Sequence, residues 1–159
     1  MSFRREPKTN PIAWIVAADR AHARIFRAHW PDLNGFQSVE ERWHAEGRKQ
    51  GRERDEAPHG RRRGPDGTGR TFEAEDGHLV ITRDFATEIV ERLEQGRAQN
   101  EFGHLVVAAP PPLLGELRNQ YGSELIKLVE AEIDKELAHL DQPTILLQAR
   151  GAVGALTHV

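Results

Sequence analysis

The sequence contains no cysteine among its 159 residues, a single methionine and only 6% aromatic residues. Without cysteine, the chain can form neither a disulfide framework nor a thiolate nucleophile nor a cysteine-ligated metal site. No apolar run approaches the ~18 residues of a membrane-spanning helix, so we expect no membrane partner. A chain without cysteine also suits the reducing cytosol, and we expect a cytoplasmic protein.

The N-terminus has the features of a targeting signal only in part. Basic residues precede a short apolar stretch at residues 12–18, and residues 21–23 resemble a small-x-small cleavage site. The apolar core of a signal peptide has at least about seven residues, and Asp19 interrupts this one before the supposed cut. We therefore interpret residues 12–18 as a buried strand, preceded by a flexible lead-in at residues 1–11.

Positive charge is concentrated in residues 47–70, here called the basic segment. Its net charge is +4, which leaves −7 for the rest of a chain whose total is −3. It contains six glycines and two prolines. At about 24 residues it far exceeds the usual connection of roughly 4–6, so we predict a long Arg/Gly-rich loop. Its basic residues are Arg48, Lys49, Arg52, Arg54, Arg61, Arg62, Arg63 and Arg70.

The composition of the basic segment favours contacts with the phosphates of RNA. The planar guanidinium of arginine pairs with phosphate oxygens, and glycine lets backbone N–H groups approach closely. We predict that all eight basic residues bind RNA, with Arg61, Arg62 and Arg63 contributing most as the uninterrupted cluster. The alternative is a solvated surface loop, since acidic residues partly cancel the charge and only Trp43 and Phe72 flank it as aromatic residues.

Five segments have the apolar patterns of β-strands. Residues 12–18 and 104–109 are nearly continuous apolar runs, typical of strands buried on both faces. Residues 36–43 alternate between apolar and polar after an Asn-Gly turn signal, and we expect this strand at an exposed edge of the sheet. The other two candidates are residues 23–28 and 143–148.

Three segments have helical periodicity or a helix-start signal. Apolar residues recur every four positions and predict an amphipathic helix over about residues 79–100. The proline run at 110–112 connects a strand to a second helix at 113–121. Ser123 is a plausible N-cap for a third helix, whose apolar stripe covers residues 125–140.

The order β-β-β, loop, α-β-α-α-β predicts a single α/β domain over residues 12–148, followed by a tail at 149–159. Because the apolar faces of the helices must be buried against another element, we expect them to pack on the strands. The expected architecture is a mixed β-sheet of about five strands packed with helices, with the basic segment inserted as a loop.

Several of these segments together resemble the bacterial host attachment protein family. The resemblance rests on WIVAADRAHARIF at residues 14–26, LVVAAPPPLLGELR at 105–118 and AEIDKELAHL at 131–140. An arginine-rich variable loop followed by a long helix also belongs to the family pattern. The family name implies a protein-interaction role in host or surface attachment.

That family is in turn similar to the middle domain of eukaryotic and archaeal class-1 peptide-chain release factors and of Pelota. The similarity implies a ribonuclease-H-like fold, and it places the basic segment where release factors carry their catalytic Gly-Gly-Gln tip. This sequence reads HGRRRGPDGTGR at residues 59–70, without that tip. The resemblance therefore implies a non-enzymatic translation-associated factor that contacts the ribosome or structured RNA, in a stress, rescue or hibernation-like role.

Carboxylates at strand ends offer a third reading, a divergent metal-dependent nuclease with a ribonuclease-H-like fold. The candidate acids follow no metal-binding spacing, and Asp19 also suits a turn in which its side chain holds the backbone. They are Asp19, Glu40, Glu41, Asp76 and Asp84.

No other catalytic pattern is present in the sequence. The eight histidines show neither HxH nor HExxH spacing, and no serine lies in a G-x-S-x-G motif. His139 is expected near the C-terminal end of the third helix, where it would interact favourably with the helix dipole. We therefore predict no catalytic residue, no metal site and no cofactor.

Overall fold

The computed structural model of this protein describes residues 10–44 and 67–157, with side chains for 10–44 and 80–156. Within these ranges the chain forms five strands and four helices. In chain order they are β1 (Ile12–Ala18), β2 (His22–His29), β3 (Asn34–Trp43), α1 (Gly67–Ala98), β4 (His104–Ala108), α2 (Pro111–Gln120), α3 (Ser123–Ile126), β5 (Val129–Ile133) and α4 (Gln142–Thr157).

The strands form one mixed sheet in the order β3-β2-β1-β4-β5. Strand β2 runs antiparallel to β1 and to β3, whereas β1, β4 and β5 are parallel to one another. The predicted α/β class with a mixed sheet of five strands is confirmed, and it agrees with the ribonuclease-H-like architecture that we expected. Strand β3 lies at an edge, as its alternating pattern predicts.

Two hydrophobic clusters, one on each face of the sheet, form the core. Because side chains alternate along a strand, β1 supplies Trp14 and Val16 to one face and Ile15 to the other. The first face packs against α1 and α2, and the second against α4. Burial on both faces explains the nearly continuous apolar run of β1.

The predicted third helix at residues 125–140 is wrong. The structure has the short helix α3 and then strand β5, which pairs in parallel with β4. The sequence of β5, VEAEI, alternates with the period of a strand, and Ser123 is the first helical residue, with no side-chain cap from the preceding Gly122. His139 consequently lies in the connection between β5 and α4, away from any helix C-terminus.

The predicted last strand at residues 143–148 is also wrong, because these residues begin α4. Ile145, Ala149 and Val153 are buried at intervals of four and pack on the sheet as one helix face. Residues 149–157, where we expected a tail, form the second half of this helix.

The long helix α1 begins at Gly67, about twelve residues before the predicted start near residue 79. Residues 67–70, which we assigned to the loop, are therefore helical. The predicted apolar face is confirmed, since Phe85, Ile89 and Leu93 are buried. The proline run opens α2 at Pro111, as predicted. Among the described residues, no helix combines the length and the apolar character needed to cross a membrane.

Candidate functional site

The basic segment connects the end of β3 to the beginning of α1. Of its predicted RNA-binding residues, Arg70 lies in α1, where the structure gives the backbone but not the side chain. The others lie outside the described residues: Arg48, Lys49, Arg52, Arg54, Arg61, Arg62 and Arg63. The structure does describe the place from which the segment leaves the sheet.

That place is the edge of the sheet where the parallel strands end, here called the carboxyl edge. The ends of β1, β4 and β5 lie side by side, with Ala17 paired to Ala108 and Ala108 paired to Ile133. Strand β3 ends at the same edge, where Trp43 pairs with His22 at the start of β2. In open α/β sheets, ligands commonly bind outside the carboxyl ends of the strands.

Asp19 shapes the turn between β1 and β2 at the carboxyl edge. Its Oδ1 accepts hydrogen bonds from the backbone N–H groups of Ala21 at 3.0 Å and His22 at 2.9 Å. Its own N–H donates to the carbonyl of His22 at 2.8 Å. The predicted role of Asp19 as a turn former is therefore confirmed.

His44, the residue after β3, links the carboxyl edge to helix α1. Its backbone N–H donates to the carbonyl of Ala21 at 2.9 Å, which continues the pairing of β3 past its last residue. The buried imidazole lies with Nδ1 2.8 Å from Oε2 of Glu88 and stacks on Phe85 at 5.2 Å between ring centroids. His44 thus joins the sheet to helix α1 three residues before the basic segment begins.

Glu40 makes a second contact between β3 and α1, farther from the carboxyl edge along strand β3. Glu40 accepts a hydrogen bond from Nε of Arg92 at 2.9 Å and lies 3.2 Å from the guanidinium of Arg42. Partial burial raises the pKa of the Glu40 carboxyl, but the two arginines outweigh that effect and hold the pKa below its usual value. Arg92 also lies over the ring of Trp14, 4.9 Å from its centroid.

These ion pairs border an open groove of about 620 Å³ along α1. Its lining alternates in charge, with Arg42 and Arg97 beside Glu88 and Glu91, so it has no net preference for an anion or a cation.

The candidate metal-binding acids do not converge in the part of the chain that is described. Asp19 holds a turn, Glu40 is bound by arginines, and Glu41 lies near His22. Asp84 is exposed on α1, and the side chain of Asp76 lies outside the described residues. Within residues 10–44 and 80–156, no group of three or more acids and histidines could hold a metal ion.

An aromatic pair occupies the carboxyl edge on the sheet face opposite His44. The rings of His22 and Trp43 stack with centroids 3.7 Å apart and planes 1° apart. Trp43 is 51% exposed. Neither the composition nor any motif of the sequence predicts this pair, although the alternation of β3 and the short β1–β2 turn together place both residues at one end of the sheet.

His104 is a further histidine paired with a carboxylate, and it lies at the opposite edge, where β4 begins. Nδ1 of His104 is 2.6 Å from Oε2 of Glu130, and its ring stacks on Trp30 at 4.6 Å between centroids. The ion pair of buried His104 with partly exposed Glu130 connects neighbouring strands, at the edge of the sheet opposite the exit of the basic segment.

Fold and site together define an α/β protein with one mixed sheet and a basic insertion leaving its carboxyl edge. Residues 14–147 match the model of the family described as "Protein required for attachment to host cells", and the chain belongs to that family. The match extends from β1 into α4, so the resemblance identified from the sequence is confirmed. A comparison with curated proteins gave no match.

Proposed function

We propose that this protein is a non-enzymatic, translation-associated factor that contacts the ribosome or structured RNA through its basic segment. The observation that carries the proposal is the position of this segment, which follows the carboxyl edge of the sheet in a chain whose other residues have a net charge of −7. The His44–Glu88 contact fixes β3 to α1 at that point. His44, three residues before the segment, is thereby held in place before any ligand binds.

The charge pattern supports a polyanionic ligand. The basic segment carries eight basic and four acidic residues, while the remainder of the chain has a net charge of −7. Such a body repels RNA, so attraction is confined to one segment, and the protein would approach RNA in one orientation. Contacts to phosphates add affinity but little sequence specificity.

The translation role rests on the similarity to release factors and Pelota. In release factors the segment that this resemblance equates with the basic segment positions a glutamine for hydrolysis of peptidyl-tRNA. Here Gln50 is followed by Gly51 but is not preceded by glycine, so the residues needed for that chemistry are missing. Binding without hydrolysis is the function that we propose, in stress, ribosome rescue or hibernation.

Co-sedimentation with ribosomes at increasing salt tests this proposal. Replacement of Arg61, Arg62 and Arg63 by alanine should weaken binding and reduce the slope of log K against log salt by about 2–3, one unit or slightly less per lost phosphate contact. A control variant removes the same charge elsewhere, with Arg83, Lys127 and Lys135 replaced by alanine; these three residues are exposed. Absence of co-sedimentation at low salt would overturn the proposal.

The family description favours a second candidate, a protein-interaction role in attachment to host cells. In this case the binding partners would be proteins, and the protein would not co-sediment with ribosomes even at low salt. Cell fractionation with immunodetection separates the two candidates, because a direct role in attachment requires the protein at the cell surface.

A further inference from the structure

Asn34 and Gly35 begin strand β3 directly after the turn from β2, and both residues are exposed. The chain has four asparagines, and Asn34 alone is followed by glycine. Gly35 has a φ of 72°, which glycine reaches without steric cost. Because glycine has no Cβ atom, its backbone nitrogen is open to the carbonyl carbon of the preceding side chain. An asparagine in this position can therefore close a ring on the backbone more readily than one followed by a larger residue.

Arg150 of helix α4 contacts the side-chain amide of Asn34. Its Nη2 donates to Oδ1 of Asn34 at 3.1 Å, and its Nε donates to the carbonyl of Asp32 at 3.0 Å, which fixes the guanidinium beside the turn. A cation that donates to an amide oxygen withdraws electron density from the carbonyl carbon and stabilises the oxyanion that forms when a nucleophile adds. The contact therefore activates Cγ of Asn34 as an electrophile.

His29 contacts the peptide group that joins Asn34 to Gly35. Its Nδ1 lies 3.2 Å from the backbone carbonyl oxygen of Asn34, and because this oxygen can only accept, Nδ1 is the donor. The same nitrogen would lie 3.3 Å from a Cβ atom at Gly35. A hydrogen bond to the carbonyl of a peptide group stabilises the anion that remains when its N–H loses the proton. The contact therefore makes the nitrogen of Gly35 a better nucleophile.

We propose that Asn34–Gly35 is a site of spontaneous deamidation in the folded protein, activated by Arg150 and His29. The nitrogen of Gly35 loses its proton to water and attacks Cγ of Asn34, forming an N–C bond. The Cγ–Nδ2 bond then breaks, and the leaving nitrogen takes up a proton from water and departs as ammonia. A second water opens the resulting succinimide at either carbonyl, which gives aspartate or isoaspartate at position 34.

The product has a carboxylate next to the guanidinium of Arg150, which already donates to the side chain at position 34. In the aspartate form, a charge-assisted hydrogen bond replaces one to a neutral amide, so the turn is retained. The isoaspartate form instead adds a methylene to the main chain at the start of β3. Since this turn lies at the edge of the sheet opposite the exit of the basic segment, the modification is independent of the RNA-binding function proposed above.

The test incubates the folded full-length protein in heavy-oxygen water at mildly alkaline pH. Tandem mass spectrometry of proteolytic peptides measures the conversion of each asparagine, and incorporated heavy oxygen marks conversion that took place during the incubation. Asn100 and Asn119 are internal controls, because both are exposed and neither precedes glycine. We expect conversion of Asn34 to be faster than that of either control by about tenfold or more. Asn34→Gln, which would have to form a larger ring, should abolish the conversion.

Two variants test the activating contacts. Arg150→Met removes the donor to Oδ1 and should slow the conversion by about tenfold, less than the roughly 10²–10³-fold loss for an enzyme's oxyanion-hole donor because this site is exposed. Arg150→Lys keeps the cation and should slow it less, and His29→Ala should also slow it. In concentrated urea the contacts are absent, so the parent and these variants should convert at one common rate.

Three outcomes would overturn the proposal. Conversion of Asn34 in the folded protein that is no faster than that of Asn100 or Asn119 would exclude the site. Faster conversion of the parent in urea than in the folded state would mean that the fold protects Asn34. Equal rates for the folded parent and for folded Arg150→Met would show that the guanidinium does not activate the amide.

Discussion

Gly96 is the position in α1 where a single added methyl group should destabilise the fold. A Cβ atom at this position would lie 2.7 Å from Cη2 and 2.9 Å from Cζ3 of Trp14, and 3.1 Å from Cε1 of Phe102. Carbon atoms pack best at about 3.5–4.0 Å, so the Trp14 ring would have to move. That ring is buried, stacks on Phe102 with centroids 4.6 Å apart, and is covered by Arg92.

Two opposing effects decide the size of the change. Alanine is favoured over glycine inside a helix by about 1 kcal/mol. Overpacking of a filled core costs typically about 1–3 kcal/mol, and the upper half of this range applies because the contacts are with a rigid ring. We therefore expect Gly96→Ala to lower the free energy of unfolding by about 1–2 kcal/mol.

Gly115→Ala in α2 is the matched control, because among the described residues no atom outside the adjacent backbone of the helix lies within 4 Å of the added Cβ. There the helix preference acts alone, and we expect an increase of up to about 1 kcal/mol. Urea denaturation followed by circular dichroism measures both variants. If Gly96→Ala is as stable as the parent protein or more stable, the packing of α1 on Trp14 is not as tight as described here.

Three further predictions concern the charged residues. Asp19→Ala should lower the free energy of unfolding by about 1–2 kcal/mol, because the N–H groups of Ala21 and His22 lose their acceptor. Asp19→Asn keeps the acceptor oxygen Oδ1, so its free energy of unfolding should fall by less in the same urea assay. Because the pKa of Glu40 is lowered in the folded state, its ionised form stabilises the fold above the unfolded-state pKa of 4.5, and this contribution disappears as the pH falls through the folded-state pKa. Glu40→Gln should therefore be less stable than the parent near pH 7, and the difference should shrink as the pH falls below 4.5. A difference that stays constant across pH would contradict the assignment. Incubation with Mg²⁺ or Mn²⁺ should leave RNA intact on a gel; cleavage that Asp19→Asn abolishes would favour the nuclease instead.

Some secondary-structure elements could be predicted from the sequence, and others could not. Strands β1 to β4 and the core-facing part of α1 follow from local apolar patterns. Strands β1 and β4 are nearly continuous apolar runs, β3 alternates between apolar and polar residues, and α1 has apolar residues at every fourth position. The sequence 123–148 was misassigned because its short apolar runs fit both periods. Pairing of Leu105 with Val129 and of Ala108 with Ile133 selects the strand, and no local signal contains that contact.

The sequence by itself determined the class of the fold, the family and the concentration of positive charge in residues 47–70. The charge follows from composition, the fold class from local periodicity, and the family from short sequence motifs. Only the tertiary structure decided what surrounds the exit of that segment. His22 stacks on Trp43, and His44 contacts Glu88 across 44 positions of chain, because strand pairing and helix packing bring together side chains that the sequence holds apart.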